Sequence, residues 1–89
     1  MTIKYTKEFT AKLKKQNVRI RKSFKKAINQ FAQDPQDTEL NNHALSREWQ
    51  GHRSINITAD FRGIYKETQS RNEKIIYFVA LGTHKKLYK

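Results

Sequence analysis

Cysteine is absent from this 89-residue chain, which excludes disulfides and thiolate metal sites. That absence matters at this length. A chain of this size buries only about 60–65% of the surface its unfolded form exposes, so the core is thin and no covalent staple supports it. The lack of thiols suits a reducing compartment. Long apolar runs are also missing, and no stretch approaches the roughly 18 residues of a membrane-spanning helix. The first residues, MTIKYTKEFTAK, carry charge but no apolar signal-peptide core. The cytoplasm is therefore the expected location, with no membrane partner. The three histidines, His43, His52 and His84, show no H-x-x-x-H or H-E-x-x-H spacing, so neither a metal nor another cofactor is expected.

Acidic residues are scarce exactly where basic ones are dense. Residues 1–33 hold ten Lys/Arg against the single acid Glu8, and residues 74–89 hold four Lys and no acid. The middle, 34–73, is close to balanced. The net charge of +11 is thus concentrated at the two ends of the chain, which points to a polyanionic partner, nucleic acid before acidic protein.

The length allows one domain, taken as residues 1–89, with no repeat or linker to divide it. TIKYT alternates Ile3 and Tyr5 with polar neighbours and predicts a first strand. Thr6 is placed to cap a helix, with Glu8 in its first turn, and Phe9 and Leu13 share a face. Asn17 re-caps the chain for a second helix in which Ile20, Phe24, Ala27, Ile28 and Phe31 recur at helical spacing. Arg21, Lys22, Lys25 and Lys26 fall on the other side, a cationic docking surface for nucleic acid rather than a catalytic set. Asp34-Pro35 ends this helix, because a residue before proline is pushed out of the α region.

After the polar loop QDPQDTELNN come strand candidates: LSREW, the weakest; RSINITA, with Ile55 and Ile57 inward and Ser54, Asn56 and Thr58 on an open face; FRGIYKE; and KIIYFVAL, apolar on both faces and expected at the centre. TQSRNE reads as the hairpin loop between the last two. The order β-α-α-β-β-β predicts an α+β domain, a helical hairpin packed on a small, mostly antiparallel, twisted sheet.

Several residues in the second half carry a resemblance. His43-Ala44-Leu45, Trp49, Gly51, Arg53, then Asp60-Phe61-Arg62-Gly63-Ile64-Tyr65, then Leu81-Gly82-Thr83-His84 and Leu87-Tyr88, occur in the order H-x-L…W-x-G-x-R…D-[aromatic]…G-[ST]-H-x-x-L-[aromatic]. Together with the strand and helical hairpin before them, they resemble the RelE/ParE toxin superfamily, and its YafQ branch most. The resemblance implies a RelE-like fold and a type II toxin–antitoxin system toxin acting as an mRNA interferase. Such a ribosome-dependent, metal-independent endoribonuclease cuts message in the ribosomal A site by attack of a 2′-OH on its own 3′-phosphate. It implies two partners, the ribosome with its rRNA and A-site mRNA, and a cognate antitoxin, expected to be acidic.

On that resemblance His43, Asp60 and His84 fall on the branch's histidine, aspartate and C-terminal histidine. Phe61 stands where an aromatic, normally Trp, follows the aspartate, and Tyr88 falls on the terminal aromatic. The chain departs from the branch at two places. Asn56 stands where YafQ relatives have histidine, and Arg62 stands where they have an aliphatic residue, which is similar to the YoeB and RelE branches.

The chemistry itself needs a base, an acid and a cation. Histidine, with an unperturbed pKa near ~6.5, serves either proton role. Arginine's planar fork suits phosphate oxygens. The expected catalytic set is therefore His43, Asp60, Arg62, His84 and Tyr88, with His84 as acid and Asp60 or His43 as base. Arg53, Asn56, Phe61, Lys85 and Lys86 are expected to contact RNA or phosphate, with Phe61 or Tyr88 stacking on a base. Arg53, on the Ile55/Ile57 side of its strand, also admits a structural role. Trp49 is expected in the core and His52 on the surface. Two other readings stand beside the nuclease: a ParE-like gyrase inhibitor on the same scaffold, and a non-catalytic nucleic-acid-binding module.

Overall fold

A computed structural model describes residues 1–88. The element order is β1 (Thr2–Tyr5), α1 (Lys7–Lys14), α2 (Val18–Gln33), β2 (His43–Ala44), β3 (His52–Asn56), β4 (Phe61–Ser70), β5 (Glu73–Thr83) and α3 (His84–Leu87), with 3-10 turns at Thr38–Leu40 and Arg47–Trp49. The strands form one sheet in the order β1-β5-β4-β3-β2. β1 runs parallel to β5 and every other pairing is antiparallel. This is the α+β architecture expected, with β4 rather than β5 at the middle of the sheet. No helix among the described residues is long and apolar enough to cross a membrane.

Local chemistry sets the helix boundaries. The Thr6 hydroxyl accepts from the Phe9 backbone N–H at 3.2 Å and the Asn17 side chain from Ile20 N–H at 2.9 Å, so each helix starts where a side-chain oxygen satisfies an orphan donor. Arg21 donates to the Gln16 carbonyl at 2.8 Å and ties the turn between the helices. Asp34, extended at φ −155° and ψ 99°, ends α2 before Pro35.

The helical hairpin covers one face of the sheet with aromatic rings. Phe78, fully buried, lies against Tyr5, Phe9, Phe24, Phe31 and Tyr65 at centroid distances of 5.3 to 6.1 Å. It also passes over Gly63, where a Cβ would meet its ring at 3.5 Å. Ile55, Leu40, Ile76 and Leu81 complete this core. Desolvation in this layer raises the pKa of Tyr5, at the margin of the cluster.

Three local expectations are corrected. LSREW is not a strand. The ladder on β3 closes at Leu45, whose N–H donates to the His52 carbonyl at 3.0 Å; Arg47 then turns to φ 57° and starts a 3-10 turn. TQSRNE is not an open loop. β4 runs to Ser70 and β5 begins at Glu73, leaving only Arg71 and Asn72 as the turn. The polar sequence hid the strand ends because their side chains face water on a hairpin that extends past the core. Finally, the face of β3 opposite the hairpin is not open at Ser54, which is fully buried.

Candidate functional site

Pairing register sorts the predicted site residues between the two faces of the sheet, because direct cross-strand partners share a face. Arg53 pairs with Tyr65, and Tyr65 packs on Phe31 of α2 at 5.2 Å. Arg53 is therefore on the hairpin face. Ser54 pairs with both His43 and Ile64, and Asn56 pairs with Arg62. These lie on the other face.

That second face is partly roofed by the end of the chain. The Thr83 hydroxyl caps α3 by accepting from Lys86 N–H at 3.3 Å. The His84 N–H donates to the Asp60 carbonyl at 3.0 Å, which seats the start of α3 on the β3–β4 turn. The Trp49 indole N–H donates to the Leu87 carbonyl at 3.0 Å. The Tyr88 hydroxyl donates to Ser54 Oγ at 2.8 Å. Three hydrogen bonds thus hold a four-residue helix that is too short to be stable alone. Trp49 is half-buried at this contact and is not a core residue as expected. Ser54 and Trp49 are two of the positions that sequence reasoning misplaced. Their partners lie 34 and 38 residues away, and no local pattern signals them.

Between α3 and the β2 segment is a cavity of about 420 Å³, walled by His43, Arg47, Trp49, His84, Leu87 and Tyr88. Both histidines reach it, while Asp60, the other predicted base, and Arg62 are not among its walls. His43 Nδ1 lies 2.8 Å from the Asn41 carbonyl. A carbonyl only accepts, so Nδ1 carries the proton in the neutral ring and Nε2 keeps its lone pair. Asn41 holds this position from a left-handed conformation, φ 46°, which asparagine tolerates better than most residues. The His84 ring stands edge-on to Tyr88 at 4.6 Å and 69°.

Asp60 is exposed on the turn joining β3 to β4. The Thr58 hydroxyl accepts from the N–H groups of Asp60 and Phe61 at 3.2 and 3.0 Å and shapes that turn. Its backbone touches His84, while its carboxylate takes part in no hydrogen bond or ion pair among the described residues. Arg62 is half-buried, and its Nη1 donates to the carbonyls of Thr58, Ala59 and Phe61 at 3.0, 3.0 and 3.1 Å. Its Nε and Nη2 have no protein acceptor among the described residues. Beside it, Asn56 Oδ1 is buried without a hydrogen-bond partner, an arrangement that native proteins rarely leave unexplained.

The remaining expectations divide. Lys85 and Lys86 are exposed on α3, next to His84. Phe61 is half-buried and packs against the hairpin-side core, so its ring is not presented to the cavity. Arg53 is also apart from it. Its Nε donates to Asn42 Oδ1 at 2.9 Å, and Asn42 in turn donates to the Tyr65 hydroxyl and the Pro35 carbonyl at 2.9 Å each. That relay ties the loop after α2 to the sheet, the structural role open to Arg53. Among the described residues, no cluster of three or more His, Asp or Glu side chains is placed to hold a metal.

Solved structures share this architecture. YafQ from E. coli strain BL21(DE3) is similar over 98% of this chain and 97% of its own, with 23% identity and a TM-score of 0.78. A YoeB/ParE toxin from Agrobacterium tumefaciens is similar over 94% and 99%, with 18% identity and a TM-score of 0.75. The E. coli DinJ–YafQ complex matches over 98% and 97%, with 23% identity and a TM-score of 0.64. At these identities the likeness is one of fold. No curated protein sequence matches the chain. A family model matches all of it, residues 1–89, and on that match the chain belongs to YafQ, the bacterial toxins of type II toxin–antitoxin systems.

Proposed function

We propose that this toxin is an mRNA interferase, a ribosome-dependent endoribonuclease that acts on message in the A site. The observation that carries the reading is the pair of imidazoles lining one cavity, with the Asp60 turn bonded to the backbone of His84. In the reaction the ribose 2′-oxygen attacks the adjacent phosphorus as the P–O5′ bond breaks. The products are a 2′,3′-cyclic phosphate and a free 5′-OH.

His43 takes the 2′ proton through Nε2, the nitrogen left with a lone pair. His84 delivers a proton to the departing 5′-oxygen. Asp60 is the alternative base. Arg62 stabilises the growing phosphate charge once its guanidinium leaves the turn carbonyls, and Lys85 and Lys86 add positive potential at the mouth. The Tyr88 hydroxyl, engaged with Ser54, positions His84 through the ring contact. Asn56, beside Arg62, is the remaining RNA-contacting candidate on this face. As written, the reaction needs two proton carriers and a cation and no metal.

An acidic antitoxin is the proposed protein partner, in line with the complex of E. coli YafQ with DinJ. Ribosome binding places the active protein in the cytoplasm. The test is cell-free translation followed by mapping of RNA ends. Intact protein should produce cyclic-phosphate ends inside reading frames, and His84→Ala should not. Inhibition of gyrase supercoiling with no RNA product would overturn the proposal in favour of a ParE-like activity.

A further inference from the structure

α3 roofs only part of the second sheet face. The rest is open, and one row of side chains crosses it. Lys4 of β1 pairs with Tyr77 of β5, Tyr77 pairs with Lys66 of β4, and Lys66 pairs with His52 of β3. All four therefore share this face. Lys4 Nζ sits 5.9 Å from the centroid of the Tyr77 ring. Lys4 and Lys66 are exposed and Tyr77 is half-exposed. At the other end of the row the His52 ring meets Trp49 edge-on at 5.4 Å, and Trp49 is already a wall of the His43/His84 cavity.

The row lies one side-chain repeat from the row of His43, Ser54 and Ile64. Two strand spacings and one repeat separate Tyr77 from Ser54, a distance of about 12 Å. Among the described residues of the strands on this open half, the acid is Glu73, at the far end of the hairpin, and its carboxylate is paired with the Met1 amino group at 3.0 Å; Glu48 and Asp60 stand at the cavity end.

We propose that this open half-face is a track for single-stranded RNA leading away from the cavity, with Tyr77 as a base-stacking platform between Lys4 and Lys66. An aromatic ring flanked by cations suits a base and its two adjoining phosphates, and the row itself carries no acid. An acidic protein segment would use the lysines but would have no need of the ring. The proposal rests on the nuclease reading only in taking RNA as the strand; binding here requires no cleavage.

The probe is a short, uncleavable 2′-O-methylated RNA oligonucleotide, with affinity read by fluorescence anisotropy across a salt series. Tyr77→Ala should weaken binding about tenfold or more, and Tyr77→Phe should leave it nearly unchanged. Lys4→Gln and Lys66→Gln should each reduce the salt slope by about 0.7, a readout that a merely structural role would not move. A poly-glutamate peptide is the second probe. It should respond to the lysine variants and be indifferent to Tyr77→Ala. Unchanged RNA affinity in Tyr77→Ala, or an equal loss for peptide and RNA, would overturn the track. If His84→Ala and the intact protein bind alike with this Tyr77 dependence and neither cuts translated message, the track stands and the nuclease reading falls.

Discussion

The two faces of the sheet are made of different materials and held by different forces. The hairpin face is a continuous layer of rings centred on Phe78, all within van der Waals reach and without a polar atom at its centre. The opposite face is held by single hydrogen bonds: Tyr88 to Ser54, Trp49 to the Leu87 carbonyl, and His84 N–H to the Asp60 carbonyl. A ring layer contributes stability in proportion to buried area and tolerates no gap. Isolated hydrogen bonds contribute about 0.5–1.5 kcal/mol each but fix orientation. The fold therefore rests on one face and the candidate chemistry on the other, so the two can be changed separately.

The largest expected effect tests the first half of that separation. Phe78→Ala should destabilise the protein by about 3–5 kcal/mol, a large part of the roughly 5–15 kcal/mol of a typical domain. Denaturant unfolding should show a much lower midpoint or no cooperative transition. A change below about 1 kcal/mol would mean that the rings are not the core.

His84→Ala tests the second half. Cleavage should fall by about 10²–10⁴-fold, the range for a positioned proton donor, while the unfolding midpoint stays near that of the intact protein. Unchanged cleavage would remove His84 from the chemistry. Loss of the fold would show that the two faces are not separable.

Ser54→Ala and Tyr88→Phe address the link between them. Each should cost about 1 kcal/mol of stability, and the double variant should lose less than the sum, because both remove one hydrogen bond. Additive losses in a double-mutant cycle would show that the bond does not anchor the chain end.

The smallest effect is electrostatic and far from the cavity. The Thr2 hydroxyl, and after it the Met1 amino group, holds the Glu73 carboxyl below its ordinary range. A depressed folded-state value contributes stability while the carboxyl is ionised, above its ordinary value, and that contribution is lost as pH falls through the depressed one. Exposure to solvent keeps it small. Thermal melts of the intact protein and Glu73→Gln should differ slightly near neutral pH and converge in strong acid. A gap that widens on acidification would reverse the sign.

Residues adjacent in sequence were easy to place. Thr6 and Asn17 cap helices within three residues of themselves, and Phe24, Ala27 and Phe31 lie on one helical stripe, so periodicity and capping chemistry located both helices. The candidate site was legible only as a set of residue types in order. Arg53 shows the limit. Arg53 and Arg62 are both arginines on neighbouring strands, and composition does not separate them; register puts one beside Tyr65 and the other beside Asn56. LSREW shows another. Leu45 still bonds to β3, but Arg47–Trp49 form a 3-10 turn, and the Trp49 indole donates to a carbonyl 38 positions along the chain.

The amino-acid order by itself determined the boundaries of α1 and α2, the cationic termini and which side chains are able to carry protons, since each depends on local sterics or on residue chemistry. Only the tertiary structure decided which of those side chains meet. Strand register alternates residues between faces with a period of two, and the docking of α3 depends on bonds between distant segments, neither of which leaves a local trace.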